Sequence, residues 1–286
     1  MDIYLINLAR RPDRLSAMEI QAKMLGLALT RLDAVDARIA EASSVDRWFQ
    51  AGGPLGEIPR GDKCCSLSHR AAWERLLASN AKYAAVLEDD VVLQQGAAFA
   101  LGNSDWIPGG VDLIKLEHYG PPGQSVLLSD FKDLSQGFRL ARMHSRHTGA
   151  AAYILSRKAA ELLLAIPRFD LPVDHLLFNP NNSKSFADLK PWQLLPTVAR
   201  QQDFVGDKSD IEGWRVGLRK FDFTYAKREL IRFGYDLKLL PGQLALLASG
   251  RARFVRVTVQ SYGLLPAWHP GKGNPAWFFA DEIVID

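Results

Sequence analysis

An apolar run that ends in three consecutive carboxylates is the strongest constraint in this sequence. Residues 83–87, Tyr-Ala-Ala-Val-Leu, have the length and composition of a buried β-strand, and Glu88, Asp89 and Asp90 follow directly. Carboxylates crowded at the end of a buried strand repel one another unless a cation lies among them. Oxygen ligands suit Mg²⁺ or Mn²⁺, which proteins often share with the phosphates of a substrate. The pattern therefore favours chemistry at a nucleotide diphosphate.

The composition is that of an ordinary globular chain. With 286 residues, 48% of them hydrophobic, it can bury a large core in one domain or two. It has no apolar run long enough to cross a bilayer and no signal-peptide pattern at its start, so we expect a cytoplasmic protein. The two cysteines, Cys64 and Cys65, are neighbours without a second pair, so we expect inert thiols.

Positive charge is concentrated in the C-terminal part. The formal net charge is +3, yet the segment from Arg215 to Arg256 contains ten basic residues and only three acidic ones. Leucines and aromatic residues are interleaved with this charge, as in the Leu-Lys-Leu-Leu of residues 237–240, which suits peripheral contact with an anionic membrane, here the inner membrane surface. A solvated basic face is the alternative. No recognised motif indicates nucleic acid, and we expect no such partner.

Strand-like and helix-like segments alternate along the chain. Residues 3–8 predict a strand, and Pro12 opens a helix that ends near Gly26. Similar patterns predict strands at 29–36, 83–88, 111–116 and 149–155, helices at 66–79 and 156–164, and a long loop with one short helix at 37–62. This alternation predicts a Rossmann-type wound α/β sheet with its site at the carboxyl ends of the strands.

Six segments, in the right order and spacing, resemble glycosyltransferase family 25, which contains lipopolysaccharide-type and collagen-type sugar transferases. The segments are 6–14, 34–36, 65–69 with Trp73, 87–91, Thr148 with 153–156, and 172–174. The resemblance implies a GT-A-like fold over residues 1–205, a UDP-sugar donor (usually UDP-galactose), Mn²⁺ or Mg²⁺, and transfer with inversion to a hydroxyl of a glycan or glycolipid. The match fades beyond residue 205, and we expect the basic extension at 206–286 to contact the acceptor or a membrane surface.

The resemblance also gives the carboxylates roles. In the GT-A pattern the first and third carboxylates serve the ribose and the metal, so Glu88 and Asp90 would take those roles. Glu88 and Asp90 are both metal-ligand candidates, and whether Glu88 or Asp89 holds the ribose stays open. A bound cation would neutralise charge on the departing diphosphate. An acidic turn without a metal is the alternative.

Polar residues after the first two strands are further donor-site candidates. Arg10 and Arg14 suit phosphate through the forked geometry of guanidinium, with a solvated helix start as the alternative. Asn7 and Asp36 suit hydrogen bonds to the base or the ribose, and both also suit turns.

The helix predicted at 66–79 supplies two more candidates. His69 shares an apolar stripe with Trp73, so a core histidine fits the pattern as well as a contact to the donor from the first helical turn, where the dipole favours an anion. Ser68 is assigned to the donor site beside it, although Ser66 or Ser68 would also serve as the N-cap.

Asp174 is the candidate catalytic base. Inverting transfer needs a carboxylate to accept the proton of the acceptor hydroxyl as its oxygen attacks, and such a base typically contributes about 10²–10⁴-fold. Asp174 precedes an apolar segment, so a helix N-cap is its alternative role. His147 and His175 are spare metal-ligand candidates.

Three classes of function remain open from the sequence. The leading one is a metal-dependent inverting glycosyltransferase that moves a hexose. The family resemblance implies that this hexose is galactose. The same carboxylates would also suit a metal-dependent hydrolase or nucleotidyltransferase. The third class is a catalytically silent protein that binds a nucleotide sugar.

Overall fold

The computed structural model of this chain describes residues 1–119, 124–201 and 223–259. Its strands are β1 Asp2–Asn7, β2 Thr30–Asp33, β3 Tyr83–Glu88, β4 Val91–Leu93, β5 Leu113–Lys115, β6 Glu117–His118, β7 Ser125–Asp133, β8 Arg139–Met143, β9 Ala152–Ser156, β10 Trp192–Leu195, β11 Ala199–Gln201 and β12 Ala252–Arg256. Its α-helices are α1 Pro12–Met24, α2 Ala42–Asp46, α3 Arg60–Ala78, α4 Ala97–Gly102, α5 Arg157–Leu164, α6 Val173–Phe178, α7 Phe186–Leu189 and α8 Phe223–Ala248. Of the extension predicted at 206–286, residues 206–222 and 260–286 lie outside the described residues.

One large mixed sheet organises the described residues. Its strand order is β12-β7-β8-β10-β5-β9-β3-β1-β2, and a smaller sheet has the order β4-β11-β6. β1 pairs in parallel with β2 and β3, and β5 pairs in parallel with β10, whereas β9 runs antiparallel to both β3 and β5. The predicted α/β class with a wound sheet is therefore confirmed.

Helices cover both faces of the parallel half of the sheet. Successive side chains of a strand point to opposite faces, so in β3 Val86 packs in the same core as Trp73 of α3, whereas Leu87 packs in the same core as Met18 of α1. These side chains are fully buried. The carboxyl ends of β1, β2 and β3 consequently meet at one edge of the sheet, where open α/β sheets bind their ligands.

The helix predicted at 66–79 begins earlier than expected. It starts at Arg60 with Pro59 at the N-cap position, so the predicted N-cap role of Ser66 or Ser68 is wrong. Both serines lie inside the helix, where each hydroxyl donates to the carbonyl oxygen four residues earlier. The sequence pattern did not indicate this first residue, because the first helical turn is polar and the apolar stripe begins further along the chain.

The hairpin of β7 and β8 was missed by the sequence patterns. Val126, Leu127 and Leu128 are all buried, so the run lacks the alternation of a half-buried strand. Asp130 then takes a positive φ of 53°, and the pairing register shifts between Ser129 and residue 132. A bulge of this kind breaks the period on which recognition of a strand depends. β12, from the predicted extension, pairs with β7 as the edge of the same sheet.

We expect Gly149→Ala to destabilise the fold, because this residue before β9 has a φ of +91° and an added Cβ would lie 2.6 Å from Tyr119 Cβ. Strain of this kind costs about 1–3 kcal/mol. Urea unfolding should show that loss for Gly149→Ala, whereas Gly102→Ala, where the added Cβ meets nothing within 4 Å, should stay within about 0.5 kcal/mol of the parent chain. Equal stability of the two variants would contradict the expectation.

Candidate active site

A cleft of about 100 Å³ opens at the carboxyl ends of β1, β2 and β3. The predicted site residues that line it are Arg10, Arg14, Asp36, Ser68, Glu88, Asp89 and Asp90. The predicted residues that do not line it are Asn7, His69 and Asp174. The sheet therefore brings together most of the predicted donor site and leaves the candidate base outside the cleft wall.

Glu88 ends β3 and is held by α3. Its Oε1 lies 3.0 Å from His69 Nε2 and 3.8 Å from Cys65 Sγ. His69 is fully buried in the middle of α3, so the predicted contact to the donor from the first helical turn is wrong, and the helix dipole gives no anion site there. The histidine instead hydrogen-bonds a carboxylate that lines the cleft.

The side chain of Asp89 is 9% exposed, and its charge is compensated by the protein. Its Oδ1 lies 3.1 Å from Arg14 Nη1, and its Oδ2 accepts a 2.7 Å hydrogen bond from Asn7 Nδ2. Burial raises the pKa of Asp89, and the Arg14 charge and these hydrogen bonds oppose that rise. Asn7 is itself fully buried, donates to the Arg11 carbonyl and accepts from Arg31 Nε. Its amide therefore holds Asp89 and does not face the cleft.

Asp90 is the carboxylate with an unpartnered oxygen. It lies in the turn between β3 and β4, and its buried Oδ1 has no hydrogen bond to any described residue. Burial, and then repulsion by Glu88 and Asp89, raise the pKa of Asp90 well above its ordinary value. A divalent cation beside Asp90 would remove this penalty, and carboxylate oxygens are the ligands that Mg²⁺ and Mn²⁺ prefer. The residues present therefore fit such an ion.

A second set of ligand-type atoms lies beside the first. Atoms of Cys65, His69 and Glu88 are within 4.8 Å of one another. Sulfur and imidazole ligands suit zinc more than magnesium. Both ring nitrogens of His69, however, already take part in hydrogen bonds within the protein. Asp90 is thus the stronger metal-ligand candidate.

The outer wall of the cleft is formed by the segment after β2. Arg10 Nε lies 2.7 Å from Asp36 Oδ2, and the Arg38 amide donates to Asp36 Oδ1. Burial would raise the pKa of Asp36, but the Arg38 amide and the Arg10 guanidinium together hold it below its ordinary value. Ser68 Oγ accepts a 2.9 Å hydrogen bond from the Val35 amide, so it fixes this wall to α3.

Asp174 lies in the first turn of α6. Pro172 occupies the N-cap position, so the alternative N-cap role of Asp174 is wrong. Burial is the main cause of the raised pKa of Cys65 and of the lowered pKa of Lys115. The charge of the half-buried Asp174 adds to the shift at Cys65 and opposes the shift at Lys115. The Val173 amide donates to Ser66 Oγ and ties α6 to α3. Asp174 is therefore held close to the base of the cleft without lining it.

A buried ion pair behind the carboxylates was not predicted from the sequence. Lys115 Nζ lies 3.0 Å from Glu117 Oε1, and both side chains are fully buried. The same Oε1 accepts from the Ala151 amide, whereas Oε2 has no hydrogen bond to the residues that the structure describes. Glu117 also contributes to the raised pKa of Asp90, which places the pair in the electrostatic surroundings of the site. The only signal in the sequence was a lysine inside an apolar strand.

The spare histidines have structural partners. His147 is fully buried, with Nδ1 2.9 Å from Gln193 Oε1. Burial lowers the pKa of His147 to about 3, so the ring is neutral at physiological pH. His175 Nδ1 lies 2.7 Å from Asn179 Nδ2. Neither ring lines the cleft.

The cleft and its carboxylate triplet lie at the carboxyl ends of the strands of a wound sheet, where such sheets bind their ligands. Residues 1–177 match glycosyltransferase family 25, described as LPS biosynthesis protein, and this stretch is more than half of the chain. The chain therefore belongs to glycosyltransferase family 25. The predicted membership is confirmed.

The relatives include bacterial and insect proteins. The lacto-N-neotetraose biosynthesis glycosyltransferase LgtB of Neisseria gonorrhoeae is 33% identical over 153 residues, which cover 49% of this chain and 53% of LgtB. A glycosyltransferase 25 family member of Aedes aegypti is 27% identical over 249 residues, covering 78% of this chain and 39% of that protein. The chain thus spans about half or less of the length of these relatives. A solved glycosyltransferase involved in glycosylation of the major capsid of PBCV-1 is 10% identical, with a TM-score of 0.33, over 74% of this chain and 96% of that one.

We expect Arg14→Met to cost about 3–5 kcal/mol of unfolding free energy, because it leaves the buried Asp89 carboxylate without its cation. The pKa of Asp89 should rise further, so the loss should be largest at neutral pH and should shrink as Asp89 becomes protonated at lower pH. Urea unfolding at several pH values measures this. Arg139→Met, which removes the exposed partner of Asp133, is the control and should cost about 1 kcal/mol or less. A pH-independent loss for Arg14→Met would contradict the role of Asp89.

Proposed function

We propose that this chain is a metal-dependent inverting glycosyltransferase that moves a hexose, galactose in the first instance, from a UDP-sugar to a hydroxyl of a glycan or glycolipid. The observation that carries the proposal is the pattern of charge compensation at the cleft. Glu88 and Asp89 have protein partners, whereas the buried Oδ1 of Asp90 has none among the described residues. A site that gives two carboxylates hydrogen-bonding or charged partners and leaves a third uncompensated is suited to a ligand that arrives with a divalent ion.

The residues around the cleft have complementary roles in this proposal. Asp90, with Glu88 beside it, would hold Mn²⁺ or Mg²⁺, which when bound supplies positive charge for the diphosphate leaving group. Arg10 and Arg14 contribute guanidinium charge near the phosphates. Asp36, on the outer wall, would accept hydrogen bonds from the base or ribose. Asn7 would act indirectly by holding Asp89 in place.

Asp174 is proposed as the base that accepts the proton of the acceptor hydroxyl. It lies in the first turn of α6, and its charge contributes to the raised pKa of Cys65, a residue that lines the cleft. A half-buried carboxylate keeps access to solvent, which an incoming acceptor needs. The names of the bacterial relatives refer to oligosaccharide biosynthesis, which supports a glycan or glycolipid acceptor.

We expect Asp90→Asn to abolish metal-dependent binding of UDP, and Asp174→Asn to leave that binding intact while lowering transfer about 10²–10⁴-fold. Calorimetry with UDP and Mn²⁺ measures binding, and release of UDP from UDP-galactose or UDP-glucose with glycan acceptors measures transfer. Asp133→Asn, at an exposed carboxylate, is the matched control and should change neither.

The outcomes separate the three classes of function. Equal UDP affinity in Asp90→Asn and the parent chain would contradict the metal assignment. UDP release that needs no acceptor would indicate a hydrolase, and transfer to a nucleotide would indicate a nucleotidyltransferase. UDP binding without turnover under any acceptor would indicate a silent binder.

An exposed apolar stripe on α8 supports peripheral contact with an anionic membrane. Leu237, Leu240 and Leu244 recur at helical spacing and are 49%, 43% and 53% exposed. The exposed Arg251 and Arg253 follow the helix. Apolar residues flanked by basic ones are typical of helices that lie on anionic membrane surfaces. No helix in the described part of the chain has both the length and the apolar character needed to span a bilayer.

We expect the double variant Leu237→Ser/Leu240→Ser to bind vesicles that contain anionic lipid about tenfold more weakly, because two apolar side chains no longer enter the bilayer. Co-sedimentation with vesicles measures the change. Leu162→Ser, at a 38% exposed leucine of α5, is the control and should bind like the parent chain. Unchanged vesicle binding by the double variant would contradict membrane contact through the apolar stripe of α8.

A further inference from the structure

We infer that Tyr153 and Trp73 are positioning residues for the donor site and that they act on Glu88 through His69. The four side chains form an unbroken chain of hydrogen bonds from the core to the cleft. Trp73 Nε1 lies 2.8 Å from Tyr153 Oη, which lies 3.0 Å from His69 Nδ1. His69 Nε2 lies 3.0 Å from Glu88 Oε1. The inference rests on the proposed function insofar as Glu88 serves the donor.

The chemistry of the groups fixes the direction of every hydrogen bond. An indole N–H can only donate, so Tyr153 Oη accepts from Trp73. The hydroxyl proton of Tyr153 then has His69 Nδ1 as its acceptor, which leaves the imidazole proton on Nε2. That N–H donates to the Glu88 carboxylate. The opposite neutral tautomer would instead direct a nitrogen lone pair at the carboxylate oxygen, which is repulsive.

The same count of donors and acceptors leaves no place for a proton on His69 Nδ1. A proton there would be donated to Tyr153 Oη, and the tyrosine proton would then lack an acceptor among the described residues. Burial raises the pKa of Tyr153 well above its ordinary value, so this hydroxyl keeps its proton. Trp73 thus determines the tautomer of His69 through the tyrosine.

Packing keeps the chain in place. Trp73, Tyr153 and His69 are all fully buried. Tyr153 lies on β9 directly opposite Val86 of β3, and its ring stacks on His69 with centroids 5.6 Å apart. A buried ring between two packed neighbours has no alternative rotamer at low cost. The orientation of His69 is therefore set by the core.

The two carboxylate oxygens of Glu88 consequently have different roles. Oε1 accepts from His69 and has the Cys65 thiol 3.8 Å away. Oε2 is the oxygen left for a ligand in the cleft that Glu88 lines. Hydrogen-bonding partners of this kind around ligating side chains typically contribute about 10–100-fold in affinity or activity.

A pair of substitutions at His69 tests the inference. In His69→Gln the amide nitrogen occupies roughly the place of Nε2, so the hydrogen bond to Glu88 is kept. In His69→Asn the same amide is one methylene shorter and cannot reach Glu88. We expect UDP binding in the presence of Mn²⁺ to be about 10–100-fold weaker in His69→Asn and in Tyr153→Phe, and to be largely retained in His69→Gln. Because the residues act in one chain, Tyr153→Phe/His69→Asn should be no weaker than the weaker single variant.

An independent measurement uses the parent chain without ligand. Long-range ¹H–¹⁵N spectra of histidine-labelled protein should report the Nε2–H tautomer for His69, assigned by loss of its signals in His69→Gln. An Nδ1–H tautomer would overturn the inference, as would UDP affinities in His69→Asn and Tyr153→Phe equal to that of the parent chain. If the parent chain bound no UDP, the proposed function would fail, and the tautomer alone would then decide whether the core sets the geometry of Glu88.

Discussion

Compensation of charge at the carboxyl end of β3 is the constraint on which the rest of the site depends. Three carboxylates follow one another at the end of a buried strand, and each has different surroundings. Glu88 is held by His69, and Asp89 by Arg14 and a buried amide. Of the three, Asp90 is the one whose buried Oδ1 finds no partner in the described part of the chain. Because their partners differ, Glu88 and Asp89 are held in the wall of the cleft, whereas Asp90 remains available to a cation.

The wound sheet explains how different partners reach neighbouring residues. α1 covers one face of β3 and brings Arg14 to Asp89, whereas α3 covers the other face and brings His69 to Glu88. Because side chains alternate across a strand, consecutive carboxylates at its end approach opposite layers. The two helices therefore contribute a guanidinium and an imidazole without competing for one carboxylate.

The sequence predicted the parts of the molecule that depend on local pattern. The strand before Glu88 was recognised from its apolar run, and the inward position of His69 from helical spacing. The partner of His69 was not recognised, because the contact with Glu88 joins two elements and leaves no periodic signal. The buried pair of Lys115 and Glu117 was not recognised for the same reason, because a charged residue in an apolar strand does not indicate which residue it pairs with. Such pairings are decided by tertiary packing.

Pairing on both sides of β3 limits how this site can diverge. β1 lies parallel on one side and β9 antiparallel on the other, so both neighbours fix the register of the strand. A slip of one residue would exchange its two faces, move Val86 and Leu87 into the wrong layers and carry every carboxylate to a new place. Insertions and deletions are therefore tolerated only outside this strand. New donor or acceptor preferences in descendants of this chain would have to arise in the surrounding loops, while the acidic end of β3 keeps its position.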